Sequence, residues 1–586
     1  MSLQIQNLNV LWGSLIVEEL FRNGIDYFCV SPGSRSTPLT VAAARHPSAT
    51  VRICFDERGG AFHALGYARA TGRPAAVITT SGTAVANCYP AVVEAAQDEV
   101  PLLILSSDRP PELRQTDANQ TVQQPGVFAR YCHWEFDLPC PTEKIPPQAV
   151  LTTVDQLVYR SRRLPAGPVH LNCMWREPLA PSREEISPDY LRPLGRWKQC
   201  QQPFTRYYSP FPPVADEPPE ELSAKISKAG RGIIVAGKLN GMEEAKKVCQ
   251  LARALGWPLL PDVTSGLRLW NFPENVAYYD QILLDEAAWE KLKPDAVLHF
   301  GGRLVSKRLS TFFAAVRPET YVLISPHPRR HDPAHLVTDR IESLPGLWAD
   351  KLAESRVPRE AEDGYLKQWQ EKNRRVEAEI EKFLEERELI SEAGAARILS
   401  GMIPEKSALF LASSMPVRDM DRYAAPGKAP VPVFANRGAS GIDGTIACAV
   451  GAACGSGSLV TLVIGDLAVL HDLNSFSQLE KSGVQLIIVA INNGGGGIFS
   501  FLPIAQYPDV FENYFGAPHS YTFEPMANFF RLSYFQPRTV SDFRRAYQAA
   551  VNSGKSALIE LITNREENYQ LHAELQTRIQ NRLKIK

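Results

Sequence analysis

The chain has 586 residues, too many for one hydrophobic core, and its length predicts two to four domains. Its formal net charge of −1 argues against nucleic acid or an anionic membrane surface as a partner, and no apolar run reaches the roughly 18 residues of a membrane span. The ten cysteines contain no C-x-x-C pair and the N-terminus has no basic leader, so we expect no disulfide framework or zinc site and a cytoplasmic location.

The first third of the chain alternates predicted helices and buried strands. An amphipathic helix is expected over 9–23, and strands are expected over 26–30, 51–55, 74–79 and 101–106. Turns rich in hydroxyl and charged side chains follow these strands, as at the ligand-binding edge of a parallel sheet. The polar candidates at these strand ends are Ser34, Arg35, Glu57, Arg109, Asn119 and Gln120.

Two of these candidates have an ordinary structural interpretation as well as a functional one. Glu57 precedes a small-residue helix predicted over 62–71, where it is either a charge stabilised by the helix dipole or a functional acid. Arg35 stands beside a helix N-terminus and suits an anion, although a capped strand–helix turn explains the same residues. The residues alone leave both interpretations open.

The middle of the chain begins with a proline-rich stretch over 178–219, which we interpret as a surface linker. Predicted strands then resume at 233–236, 258–261, 296–300 and 321–324, without a G-x-G-x-x-G turn that would indicate a dinucleotide site. Two basic residues follow the third of these strands, and they are either a solvated pair or a carboxylate clamp. They are Lys307 and Arg308.

A charged helix is predicted over 360–388, and a third α/β region begins near residue 391. Strands are expected over 408–412, 431–435 and 556–562. The candidates that follow the first two strands are Ser414, Arg418, Arg437 and Ile442.

The most informative pattern lies between Gly465 and Phe499. A buried strand over 459–464 ends at Asp466, a helix is predicted over 472–481, and a second strand over 484–491 leads to Asn493 and a run of four glycines. A right-handed crossover should bring Asp466 and Asn493 together although they are 27 positions apart. Oxygen ligands beside a bare glycine backbone predict a Mg2+–diphosphate anchor, and the alternative is a helix cap beside an Asn-Gly turn.

Gly-Asp followed at this distance by Asn-Asn resembles the signature of thiamine diphosphate enzymes, except that Leu467 stands where the motif usually has glycine. The resemblance implies an α/β fold of three doubly wound parallel-sheet domains. The implied divisions are a pyrimidine-binding domain over 1–180, a proline-rich linker over 181–222, a central domain over 223–355, a charged helical connector over 356–390, and a diphosphate-binding domain over 391–586.

The resemblance also implies thiamine diphosphate as cofactor, with Mg2+, or Mn2+ in its place, bound by Asp466, Asn493 and Gly495. Glu57 would hydrogen-bond the aminopyrimidine ring, and Ile442 would support the bent cofactor. The cofactor-binding residues that the resemblance implies are Glu57, Ile442, Gly465, Asp466, Leu467, Asn493, Gly495, Gly496, Ile498, Phe499 and Leu502.

Three longer strings, at 31–38, 107–120 and 436–444, are similar to one branch of these enzymes. That branch decarboxylates 2-oxoglutarate and adds the succinyl carbanion to isochorismate, in menaquinone and phylloquinone biosynthesis. The resemblance implies a transferase that acts as a homodimer or homotetramer with active sites between subunits. The implied catalytic residues are Ser34, Arg35, Glu57, Arg109, Asn119, Gln120, Lys307, Arg308, Ser414, Arg418 and Arg437.

Two alternatives remain at this point. One is a different thiamine diphosphate-dependent 2-oxoacid carboligase or decarboxylase, and the other is a non-catalytic relative. The four carboxylates of 2-oxoglutarate and isochorismate call for several cations, and the many basic candidates therefore favour these two substrates over those of a pyruvate decarboxylase. A non-catalytic relative would lack Glu57 or the metal ligands, and this chain has both.

Overall fold

The computed structural model describes residues 5–208, 218–355 and 364–584. Parts of the predicted linker and of the predicted connector, at 209–217 and 356–363, lie outside the described residues. The described strands form three parallel sheets of six, five and six strands. The predicted class, three doubly wound α/β domains, is confirmed.

The first sheet has the strand order β2-β1-β3-β4-β6-β5. Its strands are β1 (Tyr27–Val30), β2 (Thr50–Ile53), β3 (Ala75–Thr79), β4 (Leu102–Asp108), β5 (Trp134–Leu138) and β6 (Pro168–Met174). The helices of this region are α1 (Leu8–Arg22), α2 (Thr37–Arg45), α3 (Glu57–Thr71), α4 (Thr83–Asn87), α5 (Tyr89–Asp98), α6 (Gln148–Arg162) and α7 (Gly195–Gln199).

The second sheet has the order β11-β10-β9-β7-β8. Its strands are β7 (Gly232–Ala236), β8 (Leu259–Pro261), β9 (Ala296–Phe300), β10 (Thr320–Ser325) and β11 (Asp339–Glu342). The helices are α8 (Glu220–Lys228), α9 (Met242–Leu255), α10 (Tyr279–Ile282), α11 (Trp289–Leu292), α12 (Lys307–Val316) and α13 (Pro345–Glu354).

The third sheet has the order β13-β12-β14-β15-β17-β16. Its strands are β12 (Ala408–Leu411), β13 (Val433–Ala435), β14 (Val460–Gly465), β15 (Leu486–Asn492), β16 (Ser533–Phe535) and β17 (Ala557–Ile562). The helices are α14 (Tyr365–Glu385), α15 (Glu392–Ser400), α16 (Met415–Tyr423), α17 (Thr445–Ser456), α18 (Asp466–His471), α19 (Pro508–Phe511), α20 (Glu524–Phe529), α21 (Val540–Asn552) and α22 (Arg565–Lys584).

The described residues form two compact units. The first takes those within 1–209, 436–458 and 470–484, and the second takes those within 210–435, 459–469 and 485–586. The first sheet therefore belongs to the first unit, and the other two sheets belong to the second. No helix among the described residues is long and apolar enough to cross a lipid bilayer.

Within the first unit, α3 and α17 cross closely because both are rich in small residues. A Cβ atom at Gly66 would lie 1.9 Å from the carbonyl oxygen of Cys448, and one at Gly451 would lie 1.9 Å from that of His63. Backbones approach this closely only where no side chain intervenes. The crossing fixes α3, which begins at Glu57, against α17, which begins three residues after Ile442.

Within the second unit, the charged helix α14 is part of a hydrophobic core. Trp369, Val376 and Ile380 of α14 are fully buried in the same core cluster as Leu575 and Ile579 of α22. The charged side chains occupy the opposite faces of these helices, so the high charge of both segments is compatible with tight packing.

The prediction of one helix over 472–481 is wrong. The α-helix begins at Asp466 and ends at His471, and Leu473–Gln478 is a 3-10 helix. The carboxylate of Asp472 accepts hydrogen bonds from the N–H groups of Ile446 and Ala447 and from Ser475 Oγ, and these bonds turn the chain at that point.

Other boundaries also differ from the predictions. Helix α3 begins at Glu57 rather than at residue 62, because the Asp56 carboxylate caps it by accepting from the N–H groups of Arg58 and Gly59. The sequence patterns predict no strands at β5, β6, β11 or β16 and no helix at α22. β5 and β11 are short strands at the sheet edges, where partial exposure weakens the hydrophobic signal.

Candidate active site

The glycine-rich turn after β15 brings two predicted ligands together. β14 and β15 are parallel neighbours, with Gly465 paired to Ile491. Asp466 Oδ2 accepts hydrogen bonds from the backbone N–H of Asn493 at 3.1 Å and from that of Gly495 at 2.9 Å. The predicted convergence of Asp466 and Asn493 is confirmed.

The side chain of Asn493 leaves an oxygen available for a cation. Its Nδ2 donates to Glu392 Oε1 at 2.9 Å, whereas its Oδ1 is buried without a hydrogen-bond partner in the part of the chain that the structure describes. Because a buried polar atom normally has a partner, this unsatisfied oxygen fits a metal ligand.

The backbone beside this oxygen admits only glycine. Gly495 has φ +146°, and a Cβ atom there would lie 2.1 Å from the carbonyl oxygen of Gly516. A Cβ atom at Gly496 would lie 2.4 Å from the carbonyl oxygen of Phe515. The turn therefore has the bare backbone that close approach of a phosphate requires.

Leu467, the departure from the motif, is accommodated by the helix. It lies inside α18, where no left-handed backbone is needed, and its N–H donates to Asp466 Oδ1 at 2.6 Å. The apolar candidates follow the turn: Ile498 and Phe499 lie in the 3-10 helix Gly497–Phe501, and Leu502 is 46% exposed.

His519 adds a group near the carboxylate of Asp466. Its Nε2 lies 3.3 Å from Asp466 Oδ2, and its Nδ1 accepts from the N–H of Tyr521 at 3.2 Å. Burial raises the pKa of Asp466, whereas the N–H groups of Gly495 and Leu467 favour its charged form. Burial likewise raises the pKa of Glu392, to about 7.

In the first unit, Glu57 is the first residue of α3 and is half-buried. Its Oε2 accepts a hydrogen bond from Asn87 Nδ2 at 3.2 Å. One carboxylate oxygen is thereby oriented by a neutral donor, which leaves the charge of Glu57 uncompensated by this contact.

Three of the predicted polar residues of this unit lie close together. Arg35 donates to the carbonyl oxygen of Trp175 at 2.9 Å, and Arg109 donates to Ser81 Oγ and to the carbonyl oxygen of Gln120. Burial and the nearby charge of Arg35 lower the pKa of Arg109. Arg35 also pairs with the exposed carboxylate of Glu177 at 3.2 Å, and an anionic ligand could replace this partner. Ser34 and Asn119 are exposed.

The loop that carries Arg437 is held by a buried acid. Glu94 accepts hydrogen bonds from the N–H of Gly438 at 2.8 Å and from that of Ala439 at 2.6 Å. Arg69 pairs with Glu94 at 3.2 Å and donates to Asn436 Oδ1. Glu94 therefore holds the backbone after Arg437, and Arg69 holds the side chain of the residue before it.

The two residues of the basic pair after β9 lie in different environments. Lys307 is exposed at the first position of α12. Arg308 donates to the carbonyl oxygen of Asp280 at 2.7 Å and to Asp280 Oδ2 at 2.5 Å, so a buried carboxylate balances its charge. At the end of β12, Arg418 donates to the carbonyl oxygen of Ser414, which has φ +73°.

Four residues next to the candidates escaped prediction. Glu392 and Asn493 are 101 positions apart, and no spacing rule joins them. Glu392 directly follows the capping residue Ser391, a place where an acid is ordinary. The other three have no local signal and become visible only in the fold; they are Asn87, Glu94 and His519.

Comparison with known proteins covers nearly all of the chain. Residues 12–127 match the family described as thiamine pyrophosphate enzyme, N-terminal TPP binding domain, and residues 419–561 match the corresponding C-terminal TPP binding domain. Residues 188–411 match the middle domain of thiamine pyrophosphate enzymes. Thiamine pyrophosphate is another name for thiamine diphosphate.

Curated relatives with one shared name align over almost their full length. A protein of Rubrobacter xylanophilus is 51% identical over 97% of this chain and 98% of its own. Relatives in Salinibacter ruber and Prosthecochloris aestuarii are 45% and 44% identical, each over 99% of this chain and 98% of their own. All three are named 2-succinyl-5-enolpyruvyl-6-hydroxy-3-cyclohexene-1-carboxylate synthase. The chain belongs to this synthase family of thiamine diphosphate enzymes.

Proposed function

We propose that the protein is a transferase that decarboxylates 2-oxoglutarate and adds the remaining four-carbon unit to isochorismate by conjugate addition. The products are 2-succinyl-5-enolpyruvyl-6-hydroxy-3-cyclohexene-1-carboxylate and CO2, on the route to menaquinone or phylloquinone. The observation that carries the proposal is 51% identity over 97% of the chain to a synthase of that name.

When bound, thiamine diphosphate supplies the nucleophilic thiazolium carbon and the electron sink that decarboxylation requires. Mg2+, or Mn2+ in its place, would be held by side-chain oxygens of Asp466 and Asn493 and by the carbonyl oxygen of Gly495. The buried, unpartnered Oδ1 of Asn493 supports this assignment. Glu57 would hydrogen-bond the aminopyrimidine ring, with Asn87 orienting its carboxylate, and Ile442 would support the bent cofactor.

The substrates together present four carboxylates, which the basic candidates would neutralise. Planar guanidinium groups bind carboxylates through two parallel hydrogen bonds, and the adjacent Arg35 and Arg109 offer two of them. The remaining basic and polar groups that we assign to substrates are Ser34, Asn119, Gln120, Lys307, Arg308, Ser414, Arg418 and Arg437. We assign Gly465, Leu467, Gly496, Ile498, Phe499 and Leu502 to the walls of the cofactor site.

We further propose a homodimer or homotetramer in which Glu57 of one subunit and Asp466 of another serve the same cofactor. We also propose the domain divisions given above, with the pyrimidine-binding domain over 1–180, the central domain over 223–355 and the diphosphate-binding domain over 391–586. A cytoplasmic location is supported by the ten cysteines, all of them described and all free thiols.

A comparison of donor and acceptor substrates tests the function. Purified protein with thiamine diphosphate and Mg2+ is assayed with 2-oxoglutarate or pyruvate as donor and with isochorismate or an aldehyde as acceptor. We expect kcat/KM for the 2-oxoglutarate and isochorismate pair to exceed every other pair by at least about 10²-fold, because the other pairs leave cations of the proposed site unpaired. Equal use of pyruvate would instead indicate a different thiamine diphosphate-dependent carboligase or decarboxylase.

A further inference from the structure

We propose that Glu392 is a positioning residue for the metal ion, because it orients the Asn493 side chain so that the oxygen faces the cation. The inference rests on the proposed metal site of Asp466, Asn493 and Gly495. It assigns to Glu392 a role through Asn493 rather than direct coordination.

The two ends of an asparagine amide are almost identical in shape and opposite in function. A cation requires the oxygen, so something must select the orientation of Asn493. A carboxylate provides acceptors and therefore binds the NH2 end. The hydrogen bond from Asn493 Nδ2 to Glu392 Oε1, 2.9 Å long, leaves Oδ1 on the other side, buried and without a partner among the described residues.

One oxygen of Glu392, Oε1, is held by two hydrogen bonds, whereas Oε2 is buried without a partner among the described residues. Glu392 is 1% exposed and is the first residue of α15, which Ser391 caps by accepting from the N–H of Gly394 at 3.1 Å. Its Oε1 also accepts from Thr563 Oγ1 at 3.1 Å. The N–H of Thr563 donates to the carbonyl oxygen of Asn492 at 2.9 Å, which ties this contact to the end of β15.

The neighbouring Asn492 shows what an asparagine with a purely structural role looks like in the same turn. Its Nδ2 also donates to a buried acid, Glu560, at 2.6 Å, but its Oδ1 accepts from the N–H of Gly494 at 3.3 Å. Both ends of Asn492 are satisfied within the protein. Among the described residues, Asn493 has a hydrogen-bond partner only at its NH2 end, which is Glu392. The contact with Glu392 therefore leaves Asn493 Oδ1 available to a ligand.

The reciprocal exchange of the two groups provides a sharp test. Partners in the outer shell of a metal site typically change metal affinity by about 10–100-fold when they are mutated. In N493D the introduced carboxylate faces that of Glu392, and repulsion should weaken metal binding. In the double variant E392Q/N493D, the amide introduced at position 392 can donate to the carboxylate introduced at position 493, which leaves its second oxygen for the metal.

The measurement is a titration with Mn2+ in the presence of thiamine diphosphate, in which electron paramagnetic resonance reports free Mn2+. We expect E392L, which removes the acceptor oxygens of Glu392, and N493D each to bind Mn2+ about 10–100-fold more weakly than wild type. The double variant E392Q/N493D should recover to within about threefold, a coupling that independent sites would not show. The matched control T563V removes the second donor to Glu392 Oε1 and should bind within about threefold of wild type, because the contact with Asn493 remains.

The outcomes separate this inference from the proposal on which it rests. If D466A loses Mn2+ while E392L binds as wild type, Glu392 has no positioning role although the metal site stands. Failure of E392Q/N493D to recover the affinity that N493D loses, with both proteins folded, also refutes orientation by Glu392. A lower Tm of metal-free E392L with unchanged Mn2+ affinity would show a structural role only. If wild-type protein binds no Mn2+, the proposed metal site itself is wrong.

Discussion

Replacing Gly66 by alanine should disturb both stability and catalysis, because of the close crossing of α3 and α17. The new Cβ atom would lie 1.9 Å from the carbonyl oxygen of Cys448, whereas ordinary contact begins at 3.4 Å, so the helices must separate by about 1.5 Å. The clash is with backbone, which cannot rotate away as a side chain could. We therefore place it at the upper end of the usual cost of overpacking, about 3 kcal/mol.

Alanine also stabilises a helix relative to glycine by about 1 kcal/mol, which leaves a net loss of about 2 kcal/mol. In a domain of 150–250 residues this corresponds to a decrease in Tm of about 4–8 °C. The same displacement moves the helix that begins at Glu57 relative to the residues around Ile442. A misplacement of about 1 Å can lower the rate about 10²-fold.

The assay is calorimetric unfolding, combined with kcat measured well below Tm. Gly195→Ala is the matched control, because a Cβ atom at Gly195 in α7 of the same unit meets no atom within 4 Å. We expect the control to turn over as wild type does and to unfold at the wild-type Tm or up to about 4 °C above it, because alanine favours the helix by about 1 kcal/mol. A G66A protein with wild-type Tm and kcat would refute the close crossing and its connection to the site.

Three further predictions concern other residues. Glu57→Gln should fold normally and lose about 10²–10⁴-fold in kcat. A kcat within threefold of wild type would show that Glu57 is not a catalytic acid. Arg437→Ala should lower kcat/KM for the substrates by a factor equivalent to about 2–5 kcal/mol of transition-state stabilisation, while calorimetry finds unchanged cofactor affinity. Wild-type kinetics would show that Arg437 binds no substrate carboxylate. Burial lowers the pKa of His63 to about 4, so the stability that neutral His63 contributes is complete above pH 6.5 and decreases as the pH falls towards 4. About 2 kcal/mol should be lost between pH 7.5 and 5; denaturant unfolding of His63→Gln should lack this component, and an identical pH dependence would contradict it.

The parts of the site that could be predicted are those encoded by local pattern. The runs of apolar residues before Asp466 and Asn493 indicate buried parallel strands, and a parallel crossover dictates that the ends of neighbouring strands meet. The chemistry of the anchor then follows from residue types within one βαβ unit. The positions of the proposed oxygen ligands could therefore be predicted from the sequence.

The hydrogen-bond partners of the candidate site residues could not be predicted, because they come from distant segments. Glu392 meets Asn493 across 101 positions, and Glu94 meets Gly438 across 344. Their environments in sequence are ordinary helix positions. Likewise, the polar segment after residue 564 gives little hydrophobic signal, yet Leu575 and Ile579 anchor it as a helix in the core. Tertiary packing determines such elements, not local propensity.

The most direct test of the central claim is the product formed from both substrates. Purified protein, thiamine diphosphate and Mg2+ are supplied with 2-oxoglutarate and isochorismate, and the product mass and the CO2 released are measured together. We predict one CO2 per isochorismate consumed and a product with the mass of isochorismate plus 2-oxoglutarate minus CO2. Release of CO2 from 2-oxoglutarate without consumption of isochorismate would contradict the proposed ligation.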